Sequence, residues 1–244
     1  MHEQLWFTAL LNKFFAGPTT ALLHALRIQP VDPQNPIVDF VAMQILVALI
    51  MLLFFALVRS RLSPEKPGAI QHVAELLHEF IAGQGEDIIG HHSERYVPFV
   101  ATLFVFVLIS NLIGLIPGFS SPTQFPYVPL GCAIATWVYY HFHGIRHQGP
   151  VKYAKHFGGP VLWLAPLMFP IEILSHSARL MSLTIRLYAN MFAGEMVTLA
   201  FFSLIPIGVP LVFLGLHMMV AVIQALIFAL LTMIYLAGAV SEEH

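Results

Sequence analysis

Residues 40–58 run for nineteen positions without one charged side chain. The same holds for 96–117, 127–145 and 210–240. A chain crossing the hydrocarbon core of a bilayer must satisfy every backbone polar group within itself, and a helix of about 20 apolar residues does so. A fifth run, 161–205, stays largely apolar for 45 residues. As one helix it would be about 65 Å long, roughly twice the hydrocarbon thickness, so it must break, turn back or tilt strongly. These runs predict an all-α membrane protein. It would have about five membrane-crossing helices in a single integral domain, 1–244, with the last two helices long and strongly tilted. Composition agrees: 58% of the residues are hydrophobic and 10% charged, where soluble domains carry about 25% charged.

The rest of the chain is read against these spans. The segment 1–35 has an acidic start and no basic leader, so it does not resemble a cleaved signal peptide. Trp6, Phe7, Leu10, Leu11 and Phe14 fall on one side of a helix there, as in a segment lying at an interface. In 59–95, Ile70, Val73, Leu77 and Phe80 recur at three- and four-residue intervals, with Ala74 and Ile81 beside them and Gln71, Glu75, His78 and Glu79 opposite. That predicts a surface helix over 69–81. The loop cations set the orientation. Arg59, Arg61, Lys66 and Arg95 lie in one loop and Arg146, Lys152 and Lys155 in another, while 118–126 and 206–210 have none. Both basic loops belong in the cytoplasm, which puts the N-terminal segment outside and the C-terminal Ser-Glu-Glu-His inside.

Several function classes drop out. A net charge of −2 without a basic patch gives nucleic acid nothing to bind. The lone Cys132 can form no internal disulfide and no Cys-x-x-Cys metal pair, and reads as small apolar filler. There is no P-loop and no nucleophile elbow. No cofactor is expected.

Chemistry gathers inside the two longest runs. Glu172, Arg179 and Arg186 are spaced by sevens and share one helical side, with Asn190 one turn beyond Arg186. Glu195 lies nine residues past Arg186, close to the opposite side of a straight helix. An arginine at membrane depth costs about 3 to about 15 kcal/mol, depending on how it is measured. It cannot escape by deprotonating. It therefore needs water or an anion: an interface reached by snorkelling, a pair with Glu195, or a carboxylate on an ion path. In the last run His217 and Gln224 are again seven apart. Gln224 alone reads as interhelical glue and His217 alone as a core histidine. Glu195 and His217 together can serve as stations of a proton relay. His141, His143 and His147, with His91 and His92, are better read as interfacial residues than as a metal site.

Read together, "SLTIRLYANMFAGE" (182–195), the last helix carrying His217 and Gln224, and "SNLIGLIPG" (110–118) resemble subunit a of the F-type ATP synthase. The likeness extends from about Asn35 onward, and Glu172 also has a family counterpart. After Arg179 the chain departs from the family pattern, with Leu180 and Met181 where a proline often follows. The resemblance implies a non-catalytic stator subunit working against a ring of small proteolipid subunits, the c-ring. Subunit b of the peripheral stalk, the rest of the F1Fo complex and membrane lipid would be its other partners. Protons would come in past Glu195, His217 and Asn190 and leave past Glu172, Ser175, His176 and Ser182. Arg186 would stand between the two paths, with Gln224 beside it. The rival readings are a secondary transporter or ion channel built on a buried arginine, and a histidine-rich membrane metalloenzyme.

Overall fold

The computed structural model describes residues 5–25, 27, 29, 32, 35–63, 68–90, 93–116, 118–150, 152–153, 165–204 and 208–240. The predicted features at His91, His92, Lys66, Lys155, 161–164 and 241–244 lie outside them. Every regular element among the described residues is helical: α1 Trp6–Ala25, α2 Asp39–Ser60, α3 Ala69–Ile89, α4 Val97–Ile113, α5 Tyr127–Gln148, α6 Ala165–Leu204 and α7 Val209–Val240, with 3-10 turns at Ser93–Arg95 and Pro122–Gln124. The all-α membrane class expected from the sequence is what is observed. Among the described helices, α2, α6 and α7 are long and apolar enough to cross a membrane, and α4 is a shorter apolar helix. The run at 161–205 neither breaks nor turns back over its described part. It is one helix of 40 residues, about 60 Å long, so only tilt can fit it to a bilayer.

The core forms around α7, which packs on α4, α5, α6 and α3. Ala221, Ala225 and Ala229 are fully buried and recur every four residues. Small side chains along one stripe let helix backbones approach closely, which matters in lipid because burial of apolar surface gives little drive there. Phe228, Met233 and Leu236 fill the space between the helices. α6 contributes only a narrow stripe, Leu183, Leu187 and Met191, to this core. Much of the rest of its surface, including Met181, Ile185, Phe192 and Leu199, is exposed.

Two amphipathic helices dock on the bundle through buried amides. In α1 the polar Thr8 and Asn12 are buried, whereas Trp6, Leu10 and Phe14 are exposed. Asn12 docks the helix: its Nδ2 donates to Ile37 O at 2.9 Å and its Oδ1 accepts from Ile37 N at 3.0 Å. α3 extends two turns beyond the predicted 69–81. Val73, Leu76 and Phe80 are exposed and Ile81 is buried. Of the polar residues opposite, Glu75, His78 and Glu79 are exposed, whereas Gln71 is buried and its amide holds both Ser63 N and Ser63 O. Amphipathicity marked the helices but did not say which residues dock them on the bundle. Apolar side chains can satisfy themselves in lipid, whereas amides need partners.

Candidate functional site

α6 and α7 set the register of the site. Phe201 stacks on Phe213 at 4.2 Å, a Cβ on Gly194 would lie 3.0 Å from the His217 ring, and Arg179 lies over the Tyr235 ring at 5.4 Å. The two helices therefore run antiparallel in contact along most of their length. Since both rise equally per residue, Gln224 is level with Leu187–Asn190.

Arg186 sits beside the buried Leu187 and is itself only partly covered. Its Nη2 donates to Ser182 Oγ, one turn earlier, at 3.1 Å. Among the described residues no carboxylate lies within ion-pair distance of it, so the expected alternative of a pair with Glu195 is absent. Nor is a hydrogen bond to Gln224, itself buried at 8% exposure, found among them. Asn190 follows one turn on, partly exposed.

Glu195 and His217 belong to one end of the molecule. Gly194 is in the motif for a steric reason: the imidazole of His217 occupies the space where any larger residue would put its Cβ. His217 is buried, and its Nε2 has no hydrogen-bond partner among the described residues. The 3-10 turn Pro122–Gln124 packs on α6, and the Gln124 side chain, whose Nε2 donates to Ser120 Oγ, neighbours the Glu195 carboxyl. An amide suits that position because it can donate to a carboxylate or accept from a carboxylic acid.

The turn carrying Gln124 is held by the third motif. Asn111 Nδ2 donates to Ala221 O on α7 at 3.1 Å, and Thr123 Oγ1 donates to Asn111 Oδ1 at 2.6 Å. Ser121 Oγ lies 2.7 Å from Thr123 Oγ1 and donates to Ser110 O at 2.8 Å. Gly114 allows this approach, since a Cβ there would come within 2.7 Å of Ser121 Cβ. Asn111, Ser110, Ser121 and Thr123 are all buried to 1% exposure or less. Replacing Asn111 by leucine should remove two buried hydrogen bonds, the one to the Ala221 carbonyl and the one from the Thr123 hydroxyl. The expected cost is about 1–3 kcal/mol, read as a lower melting midpoint of the detergent-solubilised complex. An unchanged midpoint would mean that the network does not hold the turn.

At the other end of α6, His176 Nε2 is 3.2 Å from Glu172 Oε1, and its Nδ1 is 2.8 Å from the Tyr140 hydroxyl on α5. His141 Nδ1 bonds Tyr153 OH at 2.6 Å, and the His143 ring meets Tyr96 and Tyr139. Ser175 is partly exposed and Ser182 exposed on α6. Gln124, Thr123, Ser121 and Tyr140 went unread in the sequence. The first three stand in an ordinary Ser/Pro turn and Tyr140 in an aromatic run, and only contacts between distant segments single them out.

Residues 41–237 match the sequence model of the family described as "ATP synthase A chain". The chain is 57% identical to "ATP synthase subunit a" of Koribacter versatilis (strain Ellin345) over 244 residues, the full length of both proteins. It is 49% identical to "ATP synthase subunit a" of Solibacter usitatus (strain Ellin6076) over 235 residues, covering 96% of this chain and 100% of that one. Against "ATP synthase subunit a 3" of Pelobacter propionicus the identity is 43% over 200 residues, 82% of this chain and 86% of the other. Joined to the three motifs and the helical site they build, these likenesses establish that the chain belongs to the ATP synthase A chain family.

Proposed function

We propose that this chain is the proton-translocating stator subunit of a rotary ATP synthase membrane sector, with Arg186 between two half-channels. Arg186 carries the reading. It is a permanent cation on a largely apolar, incompletely buried helix, and no anion of the described chain neutralises it. The missing anion must come from outside the chain or from water. A ring of proteolipid subunits, each with one carboxyl at mid-membrane, supplies such a partner. Facing lipid, a ring carboxyl stays protonated because desolvation disfavours its charge; beside Arg186 the carboxylate is favoured.

The polar groups support two separate paths. Asn190, Glu195, His217 and Gln124 lie toward the end remote from Arg95, Arg146 and Lys152, and would form the outer inlet. Ser182, Ser175, His176 and Glu172 lie toward the basic end and would form the cytoplasmic path. Glu195 is nine residues from Arg186, about 13 Å along the helix, and Glu172 fourteen, about 21 Å. Gln224, level with Leu187–Asn190 and so within about one turn of Arg186, would be its nearest polar neighbour on α7. Each proton crossing 100 mV delivers about 2.3 kcal/mol to rotation. The chain itself makes and breaks no covalent bond other than those to the moving proton. ATP would be made by the soluble subunits, and subunit b would hold this chain against the ring.

In this reading α2, α4, α5, α6 and α7 cross a bacterial inner membrane, and α1 and α3 lie at its surfaces with their apolar sides in lipid. Topology and inlet are tested together in a Cys132→Ala background. A cysteine at Lys152 should be labelled only from the cytoplasmic side. Cysteines at Asn190 and Glu195 should react with silver ion or a thiol reagent added outside. Outside labelling of position 152 would overturn the orientation, and uniform inaccessibility of positions 190 and 195 would overturn the inlet.

A further inference from the structure

The basic end of the bundle holds a cluster that exceeds what the cytoplasmic path described above requires. Around His176 stand Glu172 and Arg179 from its own helix, Tyr140 and His141 from α5, Tyr153 from the segment after α5, and Tyr235 from α7. His176 is hydrogen-bonded at Nδ1 by Tyr140 at 2.8 Å and faces Glu172 with Nε2 at 3.2 Å. The His141 ring centre is 4.7 Å from that of His176, and His141 bonds Tyr153. An open groove of about 540 Å³, lined by Trp137, His141, Phe142, Ile145, Ile173 and His176, reaches the two imidazoles from outside the bundle.

We propose that Glu172 and His176 form a proton-collecting pair at the cytoplasmic mouth, and that Tyr140 is the positioning residue that holds His176 against Glu172. The inference rests on the stator reading given above. In the tautomer whose Nδ1–H donates to the Tyr140 oxygen, the Nε2 lone pair faces Glu172. One proton taken from cytoplasmic water is then shared between Nε2 and Oε1. It is either an N–H bond beside a carboxylate or an O–H bond beside a neutral imidazole. Passing it toward the ring breaks only that bond and returns the pair to its starting state.

The pair matters most when protons are scarce. An imidazole ordinarily titrates near neutral pH, where a lone carboxyl holds almost no protons. At 3.2 Å the imidazole and the carboxyl can hold one proton between them. Tyr140 is 2% exposed, so its hydroxyl has a fixed place. Burial pushes the Tyr153 phenol up to about 12, so Tyr153 stays neutral at working pH and adds no anion to the cluster.

The test is ATP-driven proton pumping in inverted membrane vesicles from pH 6 to pH 8.5, normalised to assembled complex. His176→Leu should lose about fivefold more activity at pH 8 than at pH 6. Tyr140→Phe, which keeps the ring and removes the hydroxyl, should show the same pH-dependent loss to a smaller extent. The double variant should be no worse than His176→Leu, because the two act through one group. Profiles parallel to the parent at every pH, including a uniform loss, would overturn the proposal. Arg186→Ala in the same assay separates the two readings. If it loses pumping at every pH while the His176 and Tyr140 profiles stay parallel, only the relay falls. If it pumps normally, the stator reading falls with it.

Discussion

Arg186→Ala is expected to abolish both ATP-driven proton pumping and proton-driven ATP synthesis while the complex still assembles. The side chain makes one hydrogen bond within the chain, to Ser182, and no ion pair among the described residues. Little of the fold therefore depends on it. The core stripe of α6 is Leu183, Leu187 and Met191, which the substitution leaves in place. In the proposed mechanism, what disappears is the fixed charge that favours an ionised ring carboxyl and keeps the inlet separate from the cytoplasmic path. Passive leak should rise as coupled work stops. Arg186→Lys should also be severely impaired, since an ammonium lacks the planar fork and can lose its proton when desolvated. Inverted vesicles with parental amounts of complex decide the matter. Near-normal pumping by Arg186→Ala would refute the mechanism.

Gly194→Val is expected to lower coupled pumping by about a hundredfold, more than removal of one hydrogen bond would explain. Even the first added carbon would lie 3.0 Å from two atoms of the His217 ring. His217 is buried at 7% exposure, so the ring cannot swing aside freely. A branched side chain must displace the imidazole or push α6 and α7 apart. A shift of about 1 Å in a positioned group can cost about 10²-fold in rate. Gly194→Ala, which asks the ring to move a few tenths of an ångström, should be much milder. Pairing Gly194→Val with His217→Ala separates the causes. If displacement of His217 is the cause, the double variant should match His217→Ala alone. A double variant markedly worse than either single one would point to separation of the helices instead.

What could be read from the sequence is what acts over one or two helical turns, or over a whole apolar run. Charge-free stretches identify membrane helices because the bilayer core demands internal backbone bonding. Seven-residue spacing gathers Glu172, Arg179 and Arg186 on one side, and His217 with Gln224, because a helix repeats nearly every seven residues. The resemblance of 182–195 and 110–118 to family motifs was equally local. None of this reveals why Asn111, Gly114 and Gly194 stand in those motifs. Their duties are to hold Ala221 and Thr123, to admit Ser121, and to admit His217, all on other segments.

The sequence by itself thus determined the helical membrane class, the family and which titratable groups lie within the long apolar runs. Tertiary structure decided which groups meet: Gln124 with Glu195, Tyr140 with His176, and His217 with the bare backbone of Gly194. It also decided that α1 and α3 bury Asn12 and Gln71 and leave Trp6 and Phe80 exposed. The physical reason is common to both outcomes. In a membrane, apolar side chains are at home in lipid or protein alike, so their pattern does not choose a partner. Buried amides such as Asn12, Gln71 and Asn111 gain by finding one, and the partners they find lie on other segments of the chain.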